Sequence, residues 1–145
     1  MSKVKLIHSN FDPETGISTA TIRTDMGDFT GTSKLHEEDR SISSNYAGCQ
    51  YAEMRAVIKY MRKRVEVVTN QIKGLENYQK VIKGKVSYNH NSMESCTLRK
   101  HIYILKKEKA NWQSKIYSLS NKLYTMMMTR DKIVENIANG NKRGE

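Results

Sequence analysis

Proline, cysteine, tryptophan and phenylalanine are scarce in this 145-residue chain. It has one proline, two cysteines, one tryptophan and two phenylalanines. With its single proline at Pro13, nothing after that residue forces a helix to break. Cys49 and Cys96 stand apart in no metal or redox motif, which suits a reducing compartment. No run of eighteen apolar residues occurs, so no membrane-spanning helix is expected. The opening Met1-Ser2-Lys3-Val4-Lys5-Leu6-Ile7 is too short and mixed for a signal peptide. Catalytic signatures are missing as well: there is no P-loop, no GxGxxG and no GxSxG. His8, His36, His90 and His101 are scattered, with no metal-ligand spacing among them. His36-Glu37-Glu38-Asp39 could hold a cation, but acidic residues are also what the start of a helix favours. No enzyme, no metal and no cofactor is expected. Acidic residues are few too: 15 Asp and Glu face 25 Lys and Arg, a net charge of +10 with a pI near 9.6. That balance directs attention to anionic partners.

What the chain does have is a four-three apolar repeat carried over two long segments. The first, from about Tyr51 to Lys83, places Met54, Ile58, Met61, Val65, Val68, Ile72, Leu75 and Ile82 on one stripe, broken at Gln79. The second, from about Ser92 to Ala138, does the same with Leu98, Ile102, Leu105, Trp112, Ile116, Leu119, Leu123, Met126, Ile133 and Ile137, interrupted at Lys109 and Arg130. Such a repeat marks a coiled-coil seam. At 1.5 Å per residue the rods would be about 50 and about 70 Å long, so the end of the second, with Met126, Met127, Met128, Ile133 and Ile137, would overhang the first. Asn91 with Glu94 is a candidate capping box for the second helix, and Ser41-Ile42-Ser43-Ser44-Asn45 offers caps for the first.

Ahead of the helices, residues 3–35 read as a three-stranded antiparallel meander. Asp12-Pro13-Glu14-Thr15-Gly16 and Thr24-Asp25-Met26-Gly27 supply the turns. Gly31 inside the third strand calls for a bulge or a close backbone approach. The expected class is α+β, with a sheet over 1–40, a helical hairpin over 41–140 and a disordered tail over 141–145.

A hairpin of this kind has little interior, so function must come from its ends, its assembly or its charge. Tyr103, Ala110, Tyr117 and Tyr124 form a further row at heptad spacing, wider than two helices need. Homo-oligomerisation with a dimer as building block is expected. Basic patches occur at Lys59, Arg62, Lys63 and Arg64 and at Arg99, Lys100, Lys106, Lys107 and Lys109. Antiparallel pairing should bring Arg99 near the Tyr88 loop and leave Arg55 toward the sheet. Arg23 adds a guanidinium on the second strand. Arginine forks suit phosphates and tyrosine faces suit bases.

The stretches Gly27-Asp28-Phe29-Thr30-Gly31-Thr32-Ser33-Lys34-Leu35-His36-Glu37-Glu38-Asp39, Ala47-Gly48-Cys49-Gln50-Tyr51-Ala52-Glu53-Met54-Arg55-Ala56 and Leu98-Arg99-Lys100-His101-Ile102-Tyr103-Ile104-Leu105-Lys106-Lys107-Glu108 carry a likeness in overall pattern. With them, the chain resembles the phage-encoded Thoeris anti-defence proteins of the first type. The resemblance implies a non-catalytic sponge in the host cytoplasm. Such a protein binds a cyclic ADP-ribose isomer, and in some members a cyclic tri- or dinucleotide, as a homodimer or dimer-built hexamer. It implies arginines on the phosphates, carried here onto Arg99 and Arg23 and then Arg55. Tyr88 or Tyr103 would stack on the adenine, and Asn91 would hydrogen-bond. The competing reading from charge alone is a basic coiled-coil phage protein that binds nucleic acid or inhibits a CRISPR effector.

Overall fold

The computed structural model describes residues 4–34, 45–85 and 87–143, and the side chains of all of these except 45–47 and 130–143. Three antiparallel strands, β1 (Lys5–Asp12), β2 (Ile17–Thr24) and β3 (Gly27–Lys34), form a sheet in the order β1-β2-β3. Two helices follow, α1 (Asn45–Lys83) and α2 (Met93–Arg143). This is the α+β meander and helical hairpin that the sequence predicts. His36, Glu37, Glu38 and Asp39 lie outside the described residues, as do Ser41, Ile42, Ser43 and Ser44. No described helix is long and apolar enough to cross a membrane.

By contacts, the chain divides into two compact units. One comprises Met1–Tyr60 with Tyr117–Glu145, and the other Met61–Ile116. In the first, the sheet meets the start of α1 through small residues. Gly31, paired with Ala20 across the sheet, brings β3 so close that a Cβ on it would run into the Ala52 carbonyl and the Ala56 amide of α1. Gly48, one turn earlier on the same face, abuts Ser18, whose hydroxyl is buried without a hydrogen-bond partner among the described residues. Ala20, Ile22, Ala52 and Ala56 are fully buried here. Tyr60, 1% exposed, pins the β2–β3 turn, its hydroxyl donating to Asp25 Oδ1 at 2.9 Å and its ring meeting Phe29 edge-on. In that turn Gly27 takes the positive φ of 104°, while the Thr24 hydroxyl donates to the Gly27 carbonyl at 2.7 Å and accepts from the Met26 N–H at 3.1 Å. At the other turn Gly16, φ 72°, donates its N–H to the Asp12 carbonyl at 2.8 Å.

This packing explains why α1 begins at Asn45, ahead of the Tyr51 that apolar spacing suggests. Gly48 is a poor helix former, and its close fit on Ser18 is a packing contact that favours helix there. The longer α1, 39 residues and about 58 Å, changes the expected overhang. Tyr51 donates to the Met126 carbonyl at 3.4 Å and Arg55 reaches Met127 Sδ at 3.8 Å, so these methionines lie alongside α1 and are half-buried.

In the second unit the apolar stripes meet as spaced. Val68, Ile72 and Leu105 form one buried cluster, and Ile82, Leu98 and Ile102 another, with Leu75 touching both. Burying each such side chain stabilises by about 1.5–3 kcal/mol, which is what holds the rods antiparallel. Toward the far end of this unit, Arg64 and Lys115 approach the Trp112 ring, at 5.7 and 4.6 Å from its centroid. α2 is capped by Ser92, whose hydroxyl accepts the Ser95 N–H at 3.2 Å, and the Asn91–Glu94 box is not formed. Asn91 instead gives its N–H to Asn89 Oδ1 at 3.0 Å, and Glu94 accepts from Tyr78. A serine at the position just before Met93 satisfies a helix-start N–H with a shorter side chain than asparagine one residue earlier could.

Two glycine substitutions should act in opposite directions in urea unfolding. Gly31→Ala, blocked by the α1 backbone, should cost about 1–3 kcal/mol. Gly74→Ala, in α1 with open space around the new methyl, should add up to about 1 kcal/mol. A neutral Gly31→Ala would mean that sheet and helix do not touch there.

Candidate functional site

The chemistry gathers where α1 hands over to α2. A ladder of turn hydrogen bonds compacts the link: Gly84 N–H to the Lys80 carbonyl, Lys85 to Ile82, Tyr88 to Lys85 and Ser92 to Asn89, all at 3.0–3.1 Å. Tyr88 packs on the Ile82, Leu98 and Ile102 cluster, so the last apolar layer of the hairpin orients its ring. One and a half turns into α2, Arg99 points back to the link. Its Nη1 donates to the His90 carbonyl at 2.9 Å and lies 3.1 Å from His90 Nδ1, while Nη2 lies 3.3 Å from Cys96 Sγ. The Tyr88 hydroxyl is 3.2 Å from the same Nδ1. Both the Arg99 guanidinium and the Tyr88 hydroxyl thus lie within hydrogen-bond reach of one imidazole nitrogen. His90 is therefore the hub that joins Arg99 to Tyr88.

Beside this hub lies a cleft of about 190 Å3, with Lys85, Tyr88, Asn89, Ser92 and Glu94 among its lining residues. That is smaller than the roughly 300–1,000 Å3 of a site for a whole nucleotide-sized ligand. One chain's cleft has room for a fragment such as a phosphate or a ribose. Glu94 is its acidic member, and accepts a 2.8 Å hydrogen bond from the Tyr78 hydroxyl.

The residues named from the sequence fall into two groups. Arg99, Tyr88 and Asn91 come together at the link, Asn91 with an exposed side chain. Tyr103 stands one turn farther along α2, 66% exposed, and does not join the His90 cluster. Arg23 and Arg55 belong to the other unit. Arg23 pairs with Asp28 at 3.3 Å on the surface. Arg55 donates to the Thr32 carbonyl at 3.0 Å, and Lys59 to the Thr30 carbonyl at 2.7 Å. Those carbonyls are two residues apart on β3 and the cations four apart on α1. Both repeats measure about 6–7 Å, so one helix face serves the strand edge. Among the described residues Arg99 pairs with no carboxylate, which sets it apart from Arg23.

His90 and Asn89 do not stand out in the sequence, and Lys59 does so only as one member of a basic patch. Their roles come from contacts across a turn or between elements, and no local spacing announces these.

No family model, curated protein or solved structure matches this chain.

The hydrogen bond to Glu94, together with the negative charge of that carboxylate, raises Tyr78 above its ordinary value of 10.0. The neutral phenol is the form favoured by folding. Its contribution is complete below the ordinary tyrosine range and is lost as pH rises through the folded value. Glu94→Gln should therefore let Tyr78 ionise at lower pH. Phenolate absorbance, with Tyr78→Phe as reference, reads this directly, and superimposable titrations would show that the bond does not form in solution.

Proposed function

We propose that the protein is a non-catalytic sponge for a small cyclic signalling nucleotide of the cyclic ADP-ribose type. It would hold the ligand intact in the host cytoplasm so that the receiving effector is not activated. The observation that carries this reading is the Arg99–His90–Tyr88 cluster beside the cleft: a guanidinium with no carboxylate partner among the described residues and a flat ring, held at one end of a helical hairpin. A phosphate arriving there would offer the guanidinium a charge-assisted, two-pronged bond. The small volume of the cleft supports a pocket completed by a second copy, a homodimer or dimer-built hexamer. That copy would supply Arg23, and then Arg55, from its own sheet unit. The exposed faces of Tyr103, Tyr117 and Tyr124 would serve for stacking or assembly. The likeness to the Thoeris anti-defence proteins points the same way. A cyclic tri- or dinucleotide is the next ligand class to try.

Nucleic-acid binding is the weaker reading, because part of the basic surface is already engaged. Lys63 pairs with Glu66, Lys106 with Glu76 and Lys59 with the Thr30 carbonyl, while Arg64 lies against Trp112.

Incubation with extract from cells carrying an activated defence system, followed by heat release and mass spectrometry, should recover an unaltered cyclic ADP-ribose isomer. Arg99→Ala should lower affinity for the purified compound at least tenfold, and Lys107→Ala should not. Recovery of a degraded product would make the protein an enzyme. Binding confined to DNA or RNA and steeply weakened by salt would favour the charge-based reading.

A further inference from the structure

We propose that β1 is a self-pairing edge, joining β1 of a second copy antiparallel to make one continuous sheet. Three observations point there, and none depends on the nucleotide reading.

The two edges of the sheet are treated differently. On β3, Arg55 and Lys59 occupy the carbonyls of Thr32 and Thr30, so that edge is covered. β1 is the other edge, and among the described residues no side chain hydrogen-bonds to its backbone from outside the sheet. Val4, Leu6 and Ile7 are about two-fifths exposed along it. An uncovered, partly apolar edge is a template for another strand.

The strand is also complementary to itself. Opposite β2, Lys5, His8, Asn10 and Asp12 share one face with Arg23, Thr21, Thr19 and Ile17. Leu6, Ser9 and Phe11 share the other with Ile22, Ala20 and Ser18, and the register shift lies between Leu6 and His8, at Ile7. A two-fold axis through Ser9 that leaves Ile7 out of register keeps every pair on a common face. Ser9 then meets Ser9 of the second copy, His8 meets Asn10, Leu6 meets Phe11 and Lys5 meets Asp12. Without the skip, residues of opposite faces would be paired.

The charges agree. Lys5 stands across from Arg23, a like charge, and has no ion pair among the described residues. Asp12 uses Oδ1 to accept the Glu14 N–H at 2.9 Å, which leaves its second oxygen for a cation. Antiparallel self-pairing gives both groups a partner, twice per dimer.

The test is charge reversal read by sedimentation of the full chain. The wild type should associate. Lys5→Asp alone and Asp12→Lys alone each set like charges together at both ends, and should weaken association at least tenfold. An equimolar mixture of the two variants should recover it as a heterodimer, and so should the double variant on its own. Because Asp12→Lys also gives up the Glu14 bond, Asp12→Asn, which keeps an acceptor there, should weaken association while leaving the circular dichroism unchanged. With Cys49 and Cys96 replaced by serine, Ser9→Cys should form an interchain disulfide on mild oxidation. A monomeric wild type, or charge variants that associate as it does, overturns the proposal. If the variants still dimerise and bind nucleotide, the sponge reading stands on another interface. If they lose dimerisation but keep nucleotide, the pocket is complete in one chain.

Discussion

The antiparallel apolar seam of the 61–116 unit is the constraint from which the candidate site follows. Its layers, Val68 and Ile72 on Leu105, then Ile82 on Leu98 and Ile102, fix which residue of α1 lies beside which residue of α2. With Ile82 packed against Leu98, the helix ends that flank the link are held together. Tyr88 is drawn onto the last layer, and Arg99, adjacent to Leu98, is carried around to the link side. The polar cluster is thus a consequence of packing: a guanidinium, an imidazole and a phenol placed by three aliphatic side chains. An arginine at the same position on an isolated helix would be a mobile surface charge. Here its two contacts with His90 restrain it, so its side chain is already ordered.

The sheet unit solves a different problem. Three strands are marginal alone and need a helix on one face. The fit is made by removing side chains: Gly31 and Gly48 at the contact, with Ala20, Ala52 and Ala56 around them. Backbones that approach so closely bring the long side chains of the same helix level with the strand edge. That is why Arg55 and Lys59 can reach the Thr32 and Thr30 carbonyls. One packing decision both buries the sheet and covers its β3 edge, whereas among the described residues β1 has no such cover.

These contacts set how much could be seen in the sequence. The helical stripes were legible because a 3.6-residue period is written locally. Every seam residue from Met54 to Ile82 and from Leu98 to Met126 is buried or half-buried. The two turns were legible for the same reason, since Gly16 and Gly27 mark positive φ. Gly31 could be read as a close approach, although the helix it meets could not be named. The start of α1 was hidden because Gly48 argues against helix until Ser18 is placed against it. The cap of α2 shifted from Asn91 to Ser92 because a one-residue change in helix start alters which side chain reaches the free N–H groups. His90 was invisible as a hub: it contacts Arg99 and Tyr88 through the shape of the link, and that shape is set by the seam.

The three candidate arginines are not equivalent as phosphate ligands, and their present partners rank them. Arg55 holds a β3 edge carbonyl, and releasing it would leave a strand-edge acceptor unpaired. Arg23 would have to leave Asp28, but both partners are largely in water, where such a pair contributes about 0–1 kcal/mol. Arg99 would give up an imidazole nitrogen and the backbone carbonyl of the exposed His90. A phosphate offers each of them a stronger, charged acceptor. The net gain is largest where what is surrendered is least needed by the fold. That places Arg99 first, Arg23 second and Arg55 last, and it follows from what each guanidinium already does for the protein.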